Sequence, residues 1–78
     1  MKKEEFIRQL KDTLEIDSNI RIIEETDLRN LEEYDSLSVL SIIAMIDENF
    51  QKKLSSKDFQ SITTVKSLMD IVGEGNFE

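Results

Sequence analysis

The chain has 78 residues and a formal net charge of −7, from 17 acids against 10 lysines and arginines. It contains no cysteine and no histidine, which excludes a disulfide-stabilised fold and argues against a structural zinc site. The commonest nucleophile and the commonest general base are therefore both missing, and so short a chain does not easily enclose a substrate. We expect a protein that is not an enzyme.

Length and hydropathy also limit where the chain works. This length corresponds to one domain, 1–78. No apolar segment approaches the ~20 residues that cross a bilayer, and no N-terminal stretch resembles a signal peptide. We expect a cytoplasmic protein with no membrane insertion.

The acidic residues are concentrated in one segment. Residues 31–50 contain five acids and no base. Nucleic acid demands positive charge and is disfavoured as a partner. A basic patch on another protein is favoured, although acids that merely keep a small domain soluble explain the charge equally well.

The first predicted helix covers residues 3–14, where Phe6, Ile7, Leu10 and Leu14 recur at helical spacing. Turn-forming residues at 17–19 end this pattern. A long connection then runs from Ile20 to Leu31. It is too apolar for a free linker, so we expect it to pack across the helices, with a short turn around residues 26–30.

The second predicted helix covers residues 36–50 and is the most apolar. Its core-facing side is predicted to be Val39, Ile42, Ile43, Ile46 and Phe50. Leu37, Leu40 and Ala44 form a neighbouring stripe. A helix this apolar is either buried on several sides or offers its second stripe to a partner, and the pattern leaves both open.

Ser36 lies at the start of this helix, directly after Asp35. The first backbone N–H groups of a helix lack intrahelical partners, and the helix dipole adds partial positive charge there. A phosphate attached to Ser36 would therefore lie where helices favour anions. An Asp-Ser pair before an apolar run is also typical of an ordinary helix cap.

Two further helices are predicted. Ser55 and Asp58 resemble a capping box for a short third helix over residues 56–60. Thr63 or Thr64 begins a last helix over residues 64–72, and Gly73 suits its end. Residues 73–78 are expected to fray. The predicted fold is all-α: a four-helix bundle with a short third helix and a long loop between helices 1 and 2.

Three motifs lie along the chain. They are Asp35-Ser36-Leu37 after two acids, Asp47-Glu48-Asn49-Phe50 at the end of the second helix, and Ile62-Thr63-Thr64-Val65 before the last helix. With these three motifs at matching mutual spacing, the chain resembles the acyl carrier protein family over nearly its whole length.

The resemblance implies a covalent 4′-phosphopantetheine, transferred from coenzyme A to Ser36, whose thiol carries an acyl or aminoacyl group as a thioester. Asp35 would support this transfer, by orienting the serine or helping to hold magnesium, or would only cap the helix. The implied partners of this monomer are a phosphopantetheinyl transferase, an acyl- or aminoacyl-loading enzyme, and a downstream acyltransferase or synthase with a basic docking patch. Leu37, Leu40, Ala44, Asp47 and Glu48 are the predicted partner-binding residues.

Some positions depart from the family pattern. Carriers of bacterial fatty acid synthesis usually have acids where this chain has Ser38 and Ser41, and a small residue where it has Tyr34. This indicates a specialised carrier for a dedicated pathway, such as lipid, polysaccharide or secondary-metabolite assembly. The alternative is an unmodified acidic helical adaptor or protein-interaction module in which Ser36 is only part of a cap.

Two minor features of the sequence are candidate sites. Ala44 and Met45 would leave space for a fatty cargo or, more commonly, simply pack in the core. The acids Glu24, Glu25 and Asp27 lack the ligand spacing of a calcium loop, so we expect a solvated loop and no metal site.

Overall fold

The computed structural model describes residues 1–78 and contains three α-helices and no strand. They are α1 (Lys3–Leu14), α2 (Ser36–Phe50) and α3 (Val65–Val72). Short 3₁₀ helices occupy Leu28–Asn30, Asp58–Gln60 and Glu74–Asn76. The all-α prediction is confirmed, with a long connection between α1 and α2.

The predicted four-helix count is not confirmed. The third helix expected over residues 56–60 is only the 3₁₀ turn Asp58–Gln60. The Asp58 carboxylate accepts the Ser55 backbone N–H at 2.8 Å, and the Asp58 carbonyl accepts the Ser61 hydroxyl at 3.1 Å. Both bonds lie within residues 55–61. The capping signal at Ser55 and Asp58 therefore produces a single turn, in which Phe59 is buried.

One apolar core joins the helices and their connections. All 15 buried residues are hydrophobic, and no polar or charged residue is buried. The helices contribute Phe6, Leu10, Leu14, Ile42, Met45, Ile46, Val65, Leu68, Met69 and Val72, and the connections contribute Ile16, Ile22, Leu28, Phe59 and Ile62. Burial of apolar surface, at roughly 25 cal/mol per Å², is therefore the main force that holds the chain together.

The α1–α2 connection is fixed to the start of α3 by backbone hydrogen bonds. Two of them satisfy N–H groups in the first turn of α3 that no helical carbonyl can reach. The three bonds are Val65 N–H to Thr26 C=O (3.1 Å), Lys66 N–H to Glu24 C=O (2.9 Å) and Leu28 N–H to Thr63 C=O (2.8 Å). The connection thus completes α3 and is part of the folded core.

Asp27 stabilises the 3₁₀ turn within this connection. Its carboxylate accepts the Arg29 backbone N–H at 3.0 Å and the Arg29 guanidinium at 2.8 Å and 3.1 Å. The hydrogen bond from the Arg29 side chain holds the pKa of Asp27 below its ordinary value. Asp27 therefore stays ionised and keeps the turn capped.

The tail at residues 73–78 packs against the helices. Phe77 packs against Phe6 and Phe50, with ring centroids 5.1 and 5.5 Å apart. The Met1 ammonium donates to the Asn76 carbonyl at 2.9 Å. These contacts place the tail against α1 and the end of α2. None of the helices is both long enough and apolar enough to cross a membrane.

We predict that Leu28→Ala strongly destabilises the fold. Leu28 is 0 % exposed in the connection that completes α3, and removal of a buried leucine side chain costs ~2–5 kcal/mol. Ile23→Ala is the matched control, because Ile23 lies in the same connection and is 39 % exposed. Urea unfolding should show a loss below ~1 kcal/mol for that control. Equal losses for the two variants would contradict the role assigned to the connection.

Candidate functional site

Asp35 is the N-cap of α2 and forms a reciprocal capping box with Ser38. Asp35 Oδ1 accepts the Ser38 backbone N–H at 2.8 Å, and Ser38 Oγ accepts the Asp35 backbone N–H at 2.8 Å. The Ser38 hydroxyl also donates to the Asp35 carbonyl at 2.8 Å. The helix therefore begins at a fixed residue, and that residue is Ser36.

Ser36 occupies the first position of α2 and is exposed. Its hydroxyl takes part in no hydrogen bond within the chain, because Ser38 and Asp35 make all the capping contacts. Ser36 is thus a free hydroxyl at the helix start and is not itself the cap.

The backbone N–H groups of Ser36 and Leu37 also have no partner within the chain. The first turn of α3 differs, since its corresponding N–H groups donate to carbonyls of the α1–α2 connection. Two free donors and the positive end of the helix dipole therefore surround Ser36. This arrangement fits a covalently attached phosphate, whose oxygens accept hydrogen bonds.

The second apolar stripe of α2 is exposed. Leu37 is 74 % and Leu40 is 58 % exposed, and Ala44 is exposed as well. The opposite side of the helix supplies Ile42, Met45 and Ile46 to the core. Of the two arrangements that the sequence left open, the structure has the one in which this stripe is available to a partner.

The acids of residues 31–50 are free of ion pairs. The three ion pairs of the chain join Lys3 to Glu24, Arg29 to Asp27 and Lys66 to Asp70. Asp47 and Glu48 lie in the last turn of α2, roughly 18 Å along the axis from Ser36 at 1.5 Å per residue. One helix thus carries the candidate serine, the exposed apolar stripe and unpaired negative charge.

Residues considered as a cargo space or metal site have other surroundings. Met45 is buried in the core, whereas Ala44 is exposed and does not line the core. Nowhere do three or more His, Cys, Asp or Glu side chains come together to hold a metal ion. Glu24 and Asp27 are instead paired with basic residues.

Tyr34 and Ser41 flank the start of α2. Tyr34 is half-buried against the core, and this burial raises the pKa of its hydroxyl. Its ring therefore helps to fix the chain just before the N-cap. Ser41 is exposed, and its hydroxyl points back to the Leu37 carbonyl at 3.5 Å.

The capping role of Ser38 is not among the predictions from the sequence, where Ser38 is only a position at which related carriers have an acid. The available signal was the spacing of Asp35 and Ser38, three residues apart as in a capping box. The signal is weak because a glutamate or glutamine usually occupies the second position.

Comparison with known proteins defines the class to which this site belongs. A family model described as the phosphopantetheine attachment site matches residues 4–72. No curated protein and no solved structure matches the chain. The chain belongs to the phosphopantetheine attachment family, which is consistent with the acyl carrier resemblance of its motifs. Members of this family are non-catalytic carriers with a covalently attached 4′-phosphopantetheine.

We predict different stability losses for the two residues of the Asp-Ser pair. Asp35→Ala removes the N-cap and should lower the free energy of unfolding by ~1 kcal/mol. Ser36→Ala removes an exposed, unbonded hydroxyl, so the change should stay within ~0.5 kcal/mol. Urea unfolding of both variants measures this difference. A larger loss for Ser36→Ala would show that Ser36, and not Asp35, caps the helix.

Proposed function

We propose that Ser36 is the attachment residue and that the chain delivers an acyl or aminoacyl group to enzymes of a dedicated biosynthetic pathway. The observation that carries this proposal is the exposed Ser36 hydroxyl at the start of α2, beside two free backbone N–H groups. The bound group supplies a terminal thiol that carries the cargo as a thioester. The chain itself encodes no thiol.

The residues around Ser36 support the attachment in different ways. The free N–H groups of Ser36 and Leu37 and the helix dipole favour the negative charge of an attached phosphate. Asp35 uses Oδ1 for the cap, and its Oδ2 has no hydrogen bond within the chain. Asp35 can therefore cap the helix and still orient the serine or help to hold magnesium during transfer by the transferase.

The exposed surface of α2 is the proposed docking surface for the transferase, the loading enzyme and a downstream acyltransferase or synthase. It consists of Leu37, Leu40, Ala44, Asp47 and Glu48. The exposed leucines suit an apolar pocket, and the unpaired acids suit a basic rim that steers association. We place this carrier in the cytoplasm as a monomer, where its pathway assembles lipid or another acyl-derived product.

The absence of acids at Ser38 and Ser41 supports a specialised carrier. Ser38 is committed to the cap and Ser41 is exposed without charge. The surface next to Leu37 therefore lacks two charges that basic docking sites of general fatty acid synthesis enzymes would contact. Each exposed pair contributes about 0.2–1 kcal/mol, so docking to those enzymes should be several-fold weaker.

The first prediction of this proposal concerns the site of modification. On co-expression with a phosphopantetheinyl transferase, the wild-type protein should gain the mass of one phosphopantetheine, and Ser36→Ala should gain none. Ser41→Ala is the matched control, because Ser41 is another exposed serine on α2. Intact-mass spectrometry measures the outcome. An unmodified wild-type protein would favour the adaptor function, and a modified Ser36→Ala would refute the site.

The second prediction concerns docking. Leu37→Ala should weaken binding of the transferase about thirtyfold, since an apolar anchor near an interface centre contributes ~2 kcal/mol or more. Titration calorimetry measures the affinity. Ile23→Ala is the control, since it truncates an exposed apolar residue outside α2. Unchanged affinity for Leu37→Ala would remove Leu37 from the docking surface.

The third prediction concerns the class of partner. The double variant Ser38→Asp and Ser41→Glu should raise malonyl transfer to the holo protein several-fold, because it restores rim charges. The aspartate at position 38 still offers an oxygen to the Asp35 N–H. The gain should shrink as salt rises. Efficient malonyl loading of the unaltered protein, with no gain in the double variant, would contradict a specialised role.

A further inference from the structure

Ser38 makes three hydrogen bonds with Asp35, the N-cap of α2. Its hydroxyl accepts the Asp35 N–H and donates to the Asp35 carbonyl, and its backbone N–H donates to Asp35 Oδ1, each at 2.8 Å. These bonds fix both the backbone and the carboxylate of the residue that precedes Ser36. Ser38 is half-buried, whereas Ser36 and Leu37 are exposed.

The same network accounts for the free state of Ser36. Serine and aspartate side chains at a helix start commonly bond to nearby backbone groups. Here Ser38 Oγ accepts a hydrogen bond from the Asp35 N–H, and Asp35 Oδ1 accepts one from the Ser38 N–H. The Ser36 hydroxyl is consequently left without an internal bond.

We infer that Ser38 is a positioning residue for the modification of Ser36. Its hydroxyl locks Asp35 as the N-cap and so holds Ser36 in the first helical turn with its hydroxyl free for the transferase. Ser38 thus has a structural role at the N-cap, in addition to being a position without the acid that related carriers have. The inference rests on the proposed attachment at Ser36.

The physical basis is the ease with which helix ends open. Local opening at a helix terminus costs close to zero free energy, so one cap decides how much of the first turn is formed. A transferase that binds only the formed turn has an apparent affinity reduced by the fraction of the chain in that state. Loss of the Ser38 hydroxyl should therefore raise KM and leave kcat unchanged.

The chain provides a matched control in α3. Thr64 and Ser67 form a capping box of the same kind, in which Ser67 Oγ accepts the Thr64 N–H at 2.9 Å and donates to the Thr64 carbonyl at 2.7 Å. Ser67→Ala removes an equivalent hydroxyl from a helix that does not carry Ser36. It tests whether any slowing follows from overall stability alone.

The experiment measures initial rates of phosphopantetheine transfer to the apo full chain, with amide hydrogen exchange of the same proteins. Ser38→Ala should lower kcat/KM two- to fivefold through KM, where fivefold corresponds to a cap of about 1 kcal/mol. The Asp35 amide should exchange faster in this variant. Ser38→Thr keeps the hydroxyl and should restore both values, and Ser67→Ala should leave kcat/KM unchanged.

Different results overturn different statements. Wild-type rates in Ser38→Ala overturn the inference while leaving the attachment site intact. Equal slowing in Ser38→Ala and Ser67→Ala also overturns it, because overall stability then explains the effect. Failure of Ser38→Thr to restore the rate assigns the effect to something other than the hydroxyl. A wild-type protein that gains no phosphopantetheine overturns both the attachment at Ser36 and the role of Ser38.

Discussion

Hydrogen bonds between the α1–α2 connection and the start of α3 are the constraint on which the rest of this structure depends. Val65 and Lys66 donate to carbonyls of Thr26 and Glu24, and Leu28 donates to Thr63. These bonds satisfy helix-terminal donors that would otherwise be left unpaired near the core. They also bring Leu28 and Ile22 into the same core as the three helices. A chain without cysteines thereby uses its longest connection as a structural element.

The two capped helices show how the same local chemistry serves two purposes. Both α2 and α3 begin with a capping box whose second member is a serine. In α3 the remaining first-turn donors bond to the connection, and this helix end is closed. In α2 they have no partner, and this helix end is open to solvent beside Ser36. Of these two capped helix starts, that of α2 is the one suited to a phosphate, because its free donors and the helix dipole remain available.

The division of α2 into two faces links the fold to the proposed function. Ile42, Met45 and Ile46 anchor the helix in the core, and the opposite face lies at the surface. Because the buried face stabilises α2, exposure of Leu37 and Leu40 on the other face does not prevent the helix from forming. Because no base of the chain pairs with the acids of residues 31–50, their negative charge remains available to a basic partner.

The sequence by itself determined α1, α2 and α3, the core positions of Ile42 and Ile46, and the family to which the chain belongs. These follow from local periodicity and from the motif around Ser36, which require no knowledge of distant contacts. Tertiary structure decided which residues of the long connection are buried, since Ile22 is buried whereas Ile20 and Ile23, which have the same side chain, are exposed. It also decided where residues 73–78 pack, because Phe77 contacts aromatic rings more than 25 residues away in sequence. Tertiary structure also decided that residues Asp58–Gln60 form only a single turn, because nearby hydrogen-bond partners determine whether a capping signal extends into a helix. It likewise decided that the first N–H groups of α3 donate to the α1–α2 connection.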